Sequence, residues 1–135
     1  MKPLALILLL LGCVLVNAAE TKLKVLLITG GHGYATNAFL DVFQKNTSIE
    51  VTHAVQAKAS STAYDRDDLL THDCIVLYDM VQNITEAQKS RLLGALDRGV
   101  GLVVTHHALV SYQAWPEFEK IVGGTYPESQ NNKGK

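Results

Sequence analysis

Four side chains in this sequence have the types needed for proton transfer or metal binding, and each follows an apolar run: His32, Asp79, His106 and His107. An imidazole ionises near neutrality, so it can act as general acid or base, and its neutral form ligates metals. A carboxylate can orient an imidazole, accept sugar hydroxyls or cap a backbone segment. Two or three histidines with a carboxylate also suit zinc. His32 and His106 are the candidate ligands, although the wide spacing makes no His-x-x-x-His signature. The bland alternative is a polar strand end with solvated imidazoles.

The adjacent pair His106-His107 poses a geometric question. Consecutive residues of a strand point to opposite faces. If the strand persists through both, one imidazole reaches a shared site, and a turn at 106 relaxes that limit. Alternation alone leaves open which of the two it is.

The elements that must carry these groups are legible. "KVLLITGGHGY" (Lys24 to Tyr34) is a continuous apolar run followed by a glycine turn. Such a run fits a strand covered on both faces, as in a parallel sheet. The turn lacks Gly-x-Gly-x-x-Gly, so it is no dinucleotide fingerprint. Its glycines, Gly31 among them, permit a tight turn or close approach to a ligand, with Tyr34 beside it. A helix follows, capped by Thr36 or Asn37, with Phe39, Leu40, Val42 and Phe43 on its apolar face. "IEVTHAV" alternates and reads as a strand nearer the sheet edge. The stretch Asp65 to Leu70 can form a short helix.

"DCIVLYD" (Asp73 to Asp79) is a third strand. Thr85 and Gln88 form a capping box that opens a helix with Ala87, Leu92, Leu93 and Leu96 inward and Gly99 at its close. "GLVVT" is a fourth strand, ending on the histidine pair. Pro116 opens a last helix, ended by Gly123 or Gly124. Trp115 just before it could stack on a sugar ring or pack against the sheet. Alternation of strand and helix predicts an α/β fold with a mostly parallel sheet of about four strands. Ligands of such sheets bind beyond the carboxyl ends of the strands, where His32, Asp79 and His106 all fall.

Composition narrows the function. The 135 residues carry a formal net charge of −1, which gives no electrostatic footprint for nucleic acid or anionic lipid. The N-terminus, "MKPLALILLLLGCVLVNAAE", has a basic Lys2, an apolar core from Leu4 to Val16 and small residues before a cleavage point. It reads as a secretory signal (residues 1–18, cleaved after Ala18 or Ala19), too short to span a bilayer comfortably, so no transmembrane span remains after cleavage. The mature chain is then secreted or periplasmic. "LLGC" also matches a lipoprotein box with Cys13 as the lipidated residue. Cleavage leaves Cys74 as the one thiol, at the head of an apolar run, where it reads as buried and inert. No Ser or Cys sits on a sharp turn after a strand, so no nucleophile elbow is present.

"KVLLITGGHGYAT", "DCIVLYDM", "ITEAQKSRLLGALDRGVGLVVTHHAL" and "WPEFEKIVGGTY" together resemble the ThuA-like family, named for trehalose utilisation. The resemblance runs from about Lys24 to Tyr126, with 22–126 as the partial domain and 127–135 as a polar tail. It implies a flavodoxin-like three-layer sandwich similar to class I glutamine amidotransferases, without their catalytic cysteine. By its pattern His32 and His106 are shared positions, while the place of His107 often holds a small residue, which makes His106 the principal candidate and His107 its neighbour.

ThuA-like domains continue beyond the Gly-Gly-x-aromatic segment, so the expectation is a truncated domain or one completed by another chain. The implied role is carbohydrate utilisation, with a small-molecule disaccharide or keto-sugar as partner. Catalysis would rest on His106, His32 and Asp79, and ligand binding on Gly31, Tyr34, His107 and Trp115. The cofactor would be a divalent metal such as zinc, if any. A non-catalytic module binding carbohydrate or protein, and an inactive fragment of a longer protein, are the alternatives.

Overall fold

The computed structural model describes residues 21–57 and 59–126. The signal segment, Cys13 and the polar tail lie outside the described residues. Four strands form one sheet: β1 (Leu23–Gly30), β2 (Ile49–Gln56), β3 (Cys74–Asp79) and β4 (Gly101–Val104). Their order is β2-β1-β3-β4, and every pair is parallel. Helix α1 (Thr36–Gln44) lies between β1 and β2 in the chain, α2 (Glu86–Asp97) between β3 and β4, and α3 (Pro116–Val122) follows β4. This is the expected α/β, flavodoxin-like arrangement.

The strand pattern explains the layers. In β1, Leu26 and Ile28 face one side and Val25 and Leu27 the other, and all four are buried. The first pair joins Ile75, Leu77, Leu92, Ala95 and Phe118 in the larger core, beneath α2 and α3. The second pair packs with Val76 beneath Phe39, Leu40 and Phe43 of α1. A strand covered on both faces has no polar alternate position, which is why these runs are continuous. The central strands β1 and β3 are the continuous ones, and the alternating β2 lies at the edge as expected.

Helix ends follow their chemistry, with exceptions. The α2 capping box is present: Gln88 N–H donates to Thr85 Oγ1 at 3.2 Å, and Thr85 N–H donates to Gln88 Oε1 at 3.0 Å. Gly99 takes the left-handed conformation (φ 89°) behind it, as Gly123 does behind α3 (φ 83°). Gln88, not Ala87, is the buried residue of the first turn, because its amide also donates to Asp65 Oδ2 at 2.8 Å. α1 begins at Thr36 without a side-chain cap, contrary to expectation, and Val42 on it points to solvent. The Asp65–Leu70 region forms two 3-10 turns (Thr62–Asp65 and Leu69–Thr71) rather than one helix.

Candidate functional site

Strand order reverses direction at β1: α1 leads outward to β2, and the next crossover returns to β3 on the other side. The carboxyl ends of β1 and β3 therefore flank a topological switch point, the place where ligands of such sheets bind. The loop after β1 carries His32 to this place. Gly30 and Gly31 have positive φ (130° and 77°), and a Cβ on either would stand 2.0 Å from the Gln56 carbonyl oxygen or 2.1 Å from that of Met80. The close approach that Gly31 permits is to the protein's own backbone at the end of β3. The His32 ring then sits 5.0 Å from Tyr78 and 5.6 Å from Tyr34, centroid to centroid.

β4 delivers the other two imidazoles. Thr105 is still extended and its N–H donates to the Leu77 carbonyl at 3.0 Å. His106 then turns with φ 52°, a conformation uncommon for a residue with a Cβ, and a 3-10 turn (His106–Val110) follows. The strand thus ends before the pair, and alternation does not apply to it. Separation of His106 from His107 was the expectation, and the left-handed turn overturns it. The His107 ring lies 4.5 Å from His32 and 3.9 Å from His106, and His106 lies 5.9 Å from His32. One ring nitrogen from each of the three falls within 4.8 Å of the others.

An aromatic floor supports the cluster. Tyr78 is stacked 5.4 Å beneath His106 with an interplanar angle of 17°, and Phe39 is stacked 4.0 Å from Tyr78. The Tyr34 hydroxyl donates to Thr29 Oγ1 at 2.9 Å, and Thr29 Oγ1 lies 2.8 Å from His53 Nε2. Burial pulls the His53 pKa down. His53 and Tyr78 had no assigned role in the sequence, since an edge-strand histidine and a strand tyrosine look like ordinary sheet residues.

Asp79 and Trp115 go elsewhere. Asp79 has the strand parity of Ile75 and Leu77, so it faces the larger core and not the imidazoles, and it is fully buried. Gln56 Nε2 donates to Asp79 Oδ2 at 2.6 Å and lies 3.4 Å from the Tyr112 hydroxyl, and Ser61 Oγ, which donates to the Asn83 carbonyl at 2.6 Å, lies 3.1 Å from that hydroxyl. Oδ1 has no hydrogen-bond partner among the described residues. Burial raises the Asp79 pKa from 3.8 to about 6, against the pull of Gln56 and other neighbours. Burial and then the Asp79 charge push Tyr112 up to about 12. The Asp79 network holds Tyr112, the left-handed residue (φ 55°) that closes the loop begun by His106.

Trp115 is 7% exposed and packs against Tyr112 and Phe118, which removes it from the histidine cluster. Its remaining edge lines a separate cavity of about 360 Å³ with Ser60, Asn83 and Lys89.

The electrostatics favour the neutral form of His107. Desolvation, then the proximity of His106 and His32, lowers the pKa of His107. His107 Nδ1 is buried without a hydrogen-bond partner among the described residues. His32 can donate from Nε2 to the Tyr78 carbonyl or from Nδ1 to that of Gly33, each at 3.2 Å. Cys74 is half-buried, and burial raises its pKa, so it is a poor nucleophile.

No protein-family model matches the chain, and no curated protein matches it. Among solved structures it is similar to a ThuA-like protein from Parabacteroides merdae, with a TM-score of 0.61 and 24% identity over 75% of this chain. The fold is ThuA-like. At that identity the likeness establishes the fold alone. The chain spans 38% of the length of the ThuA-like protein it matches. Among the described residues no helix is long and apolar enough to cross a membrane.

Proposed function

We propose that this chain is a secreted ThuA-like domain protein that acts in carbohydrate utilisation, on a disaccharide or keto-sugar. The observation that carries the reading is the convergence of His32, His106 and His107 at the carboxyl edge of a parallel sheet, beside its switch point. Ligands of this architecture bind at that edge. Exposed His106 is the group that meets a sugar hydroxyl, and it moves a proton there as general acid or base. His32, its ring 5.9 Å away, is its partner. Tyr34 contributes an aromatic surface against which the apolar face of a sugar ring can lie. Asp79 is a positioning residue, acting through Tyr112 on the loop that carries the pair.

The test pairs calorimetry with a turnover assay over a panel of disaccharides and keto-sugars. Turnover that is lost in His106→Ala, with circular dichroism unchanged, is the expected result. Undiminished turnover in that variant removes His106 from the chemistry. Binding without turnover would make the domain a carbohydrate-binding module, and no binding at all would end the carbohydrate reading.

A further inference from the structure

We infer that His32, His106 and His107 form a three-nitrogen site for a divalent transition-metal cation of the zinc class. Three observations meet here. One nitrogen from each ring lies within 4.8 Å of the other two, although the residues come from two separate loops. His107 Nδ1 is buried with no hydrogen-bond partner among the described residues, and such an atom calls for an explanation. His106 holds a left-handed backbone conformation that brings both of the pair to one side. Strain of this kind is retained where surrounding structure and function require it.

The donor set selects the cation. It is all imidazole, with no carboxylate or thiolate in the group. Magnesium and calcium prefer oxygen, whereas imidazole suits zinc, copper, nickel and iron. Zinc–nitrogen bonds of about 2.0–2.1 Å in a tetrahedron put ligand nitrogens roughly 3.3 Å apart, so each ring must swing inward by about 1 Å. His106 is exposed and His32 only half-buried, so side-chain rotation suffices.

Outer groups are in place as well. A ligating histidine commonly donates its second N–H to a backbone carbonyl, and His32 has Tyr78 and Gly33 available for this. Three protein ligands leave a fourth position open for water or substrate, which is the arrangement of catalytic rather than structural zinc.

Metal binding is measured on the full chain, freed of metal and titrated with zinc against a chromophoric chelator. One zinc per chain is expected. His32→Ala, His106→Ala and His107→Ala should each weaken zinc by at least about a hundredfold, while His72→Ala leaves it unchanged. Absence of stoichiometric binding overturns the site. So does a triple variant that keeps zinc within about threefold of the unmutated chain. If a variant loses its native circular dichroism, X-ray absorption on the unmutated zinc-loaded chain decides the matter. Three coordinated imidazoles support the site and fewer overturn it. Sugar turnover is not part of the readout: a chain that binds zinc and ignores sugars keeps the metal site and loses the carbohydrate reading.

Discussion

The rings of His32 and His107 lie 4.5 Å apart, centroid to centroid, although one follows the second strand of the sheet and the other the last. Neither is on a strand. Each is placed by left-handed backbone just before it, at Gly30 and Gly31 for His32 and at His106 for His107. The site is therefore built by turn conformation on a rigid sheet edge.

That dependence separates function from stability at position 106. A residue with a Cβ pays roughly 1–2 kcal/mol to occupy the left-handed region, and glycine does not. His106→Gly should gain roughly 1 kcal/mol, after its own entropy cost, and raise the melting temperature by a few degrees. It should also lose the metal site. Thermal unfolding and zinc titration of one preparation check both. A lower melting temperature would mean that stacking on Tyr78 outweighs the backbone strain.

Asp79 makes folding depend on pH in the acid range. Its unfolded pKa is 3.8 and its folded pKa about 6. Between these values the unfolded chain releases the proton first, so its contribution to stability is largest at low pH and falls as pH rises through this window. The loss is roughly 3 kcal/mol, from about 1.4 kcal/mol per pKa unit. Asp79→Asn cannot ionise, and its Oδ1 can still accept from Gln56. Urea unfolding at several values from pH 4 to pH 7 should therefore show the variant gaining on the unmutated chain as pH rises, then running parallel to it above about pH 6. A difference independent of pH would show that the carboxylate ionises normally.

Gly31→Ala tests the placement of His32. The new Cβ would stand 2.1 Å from the Met80 carbonyl oxygen at a φ of 77°. Backbone must shift, at a cost of roughly 2–4 kcal/mol. Gly33→Ala, with nothing within 4 Å of its Cβ, should change stability by less than about 0.5 kcal/mol. Chemical denaturation of the two variants side by side gives the comparison, and equal effects would refute the close approach.

Thr85→Ala should cost about 1 kcal/mol, since it removes the hydroxyl that accepts the Gln88 N–H. Zinc affinity should be untouched, because α2 contributes nothing to the cluster. A loss of affinity would reveal coupling between α2 and the histidine loop.

The fold was largely legible because its signals are local or periodic. "VLLI" and "CIVLY" announce strands buried on both faces, and Thr85, Gln88 and Gly99 mark the ends of α2 by side-chain chemistry alone. Val42 and Ala87 were misplaced because helical spacing defines a stripe only to within a residue, and what packs against it decides the rest. Gln88 is inside because Asp65 offers it a partner from a distant loop.

The site was half legible. His32 and His106 follow strands, and that position is visible in the sequence. His107 joins them through a φ angle of 52° that no residue type near it announces, since neither glycine nor asparagine stands there. Asp79 follows a strand too, but parity turns it into the core. Trp115 was ambiguous between stacking on a ligand and packing against the sheet, and Tyr112 and Phe118 claim it for the core.

Gly30, the last residue of β1, and Gly31 just after it leave no room for a Cβ beside the Gln56 and Met80 carbonyls, at the ends of both neighbouring strands. This divides the loop into a fixed base and a tip free to vary. In a library of single variants, positions 30 and 31 would be empty columns whatever property was selected, while position 33 would tolerate many residues. New specificities would then arise by changing what surrounds His32, because the footing from which it projects cannot be altered without loss of the sheet edge itself.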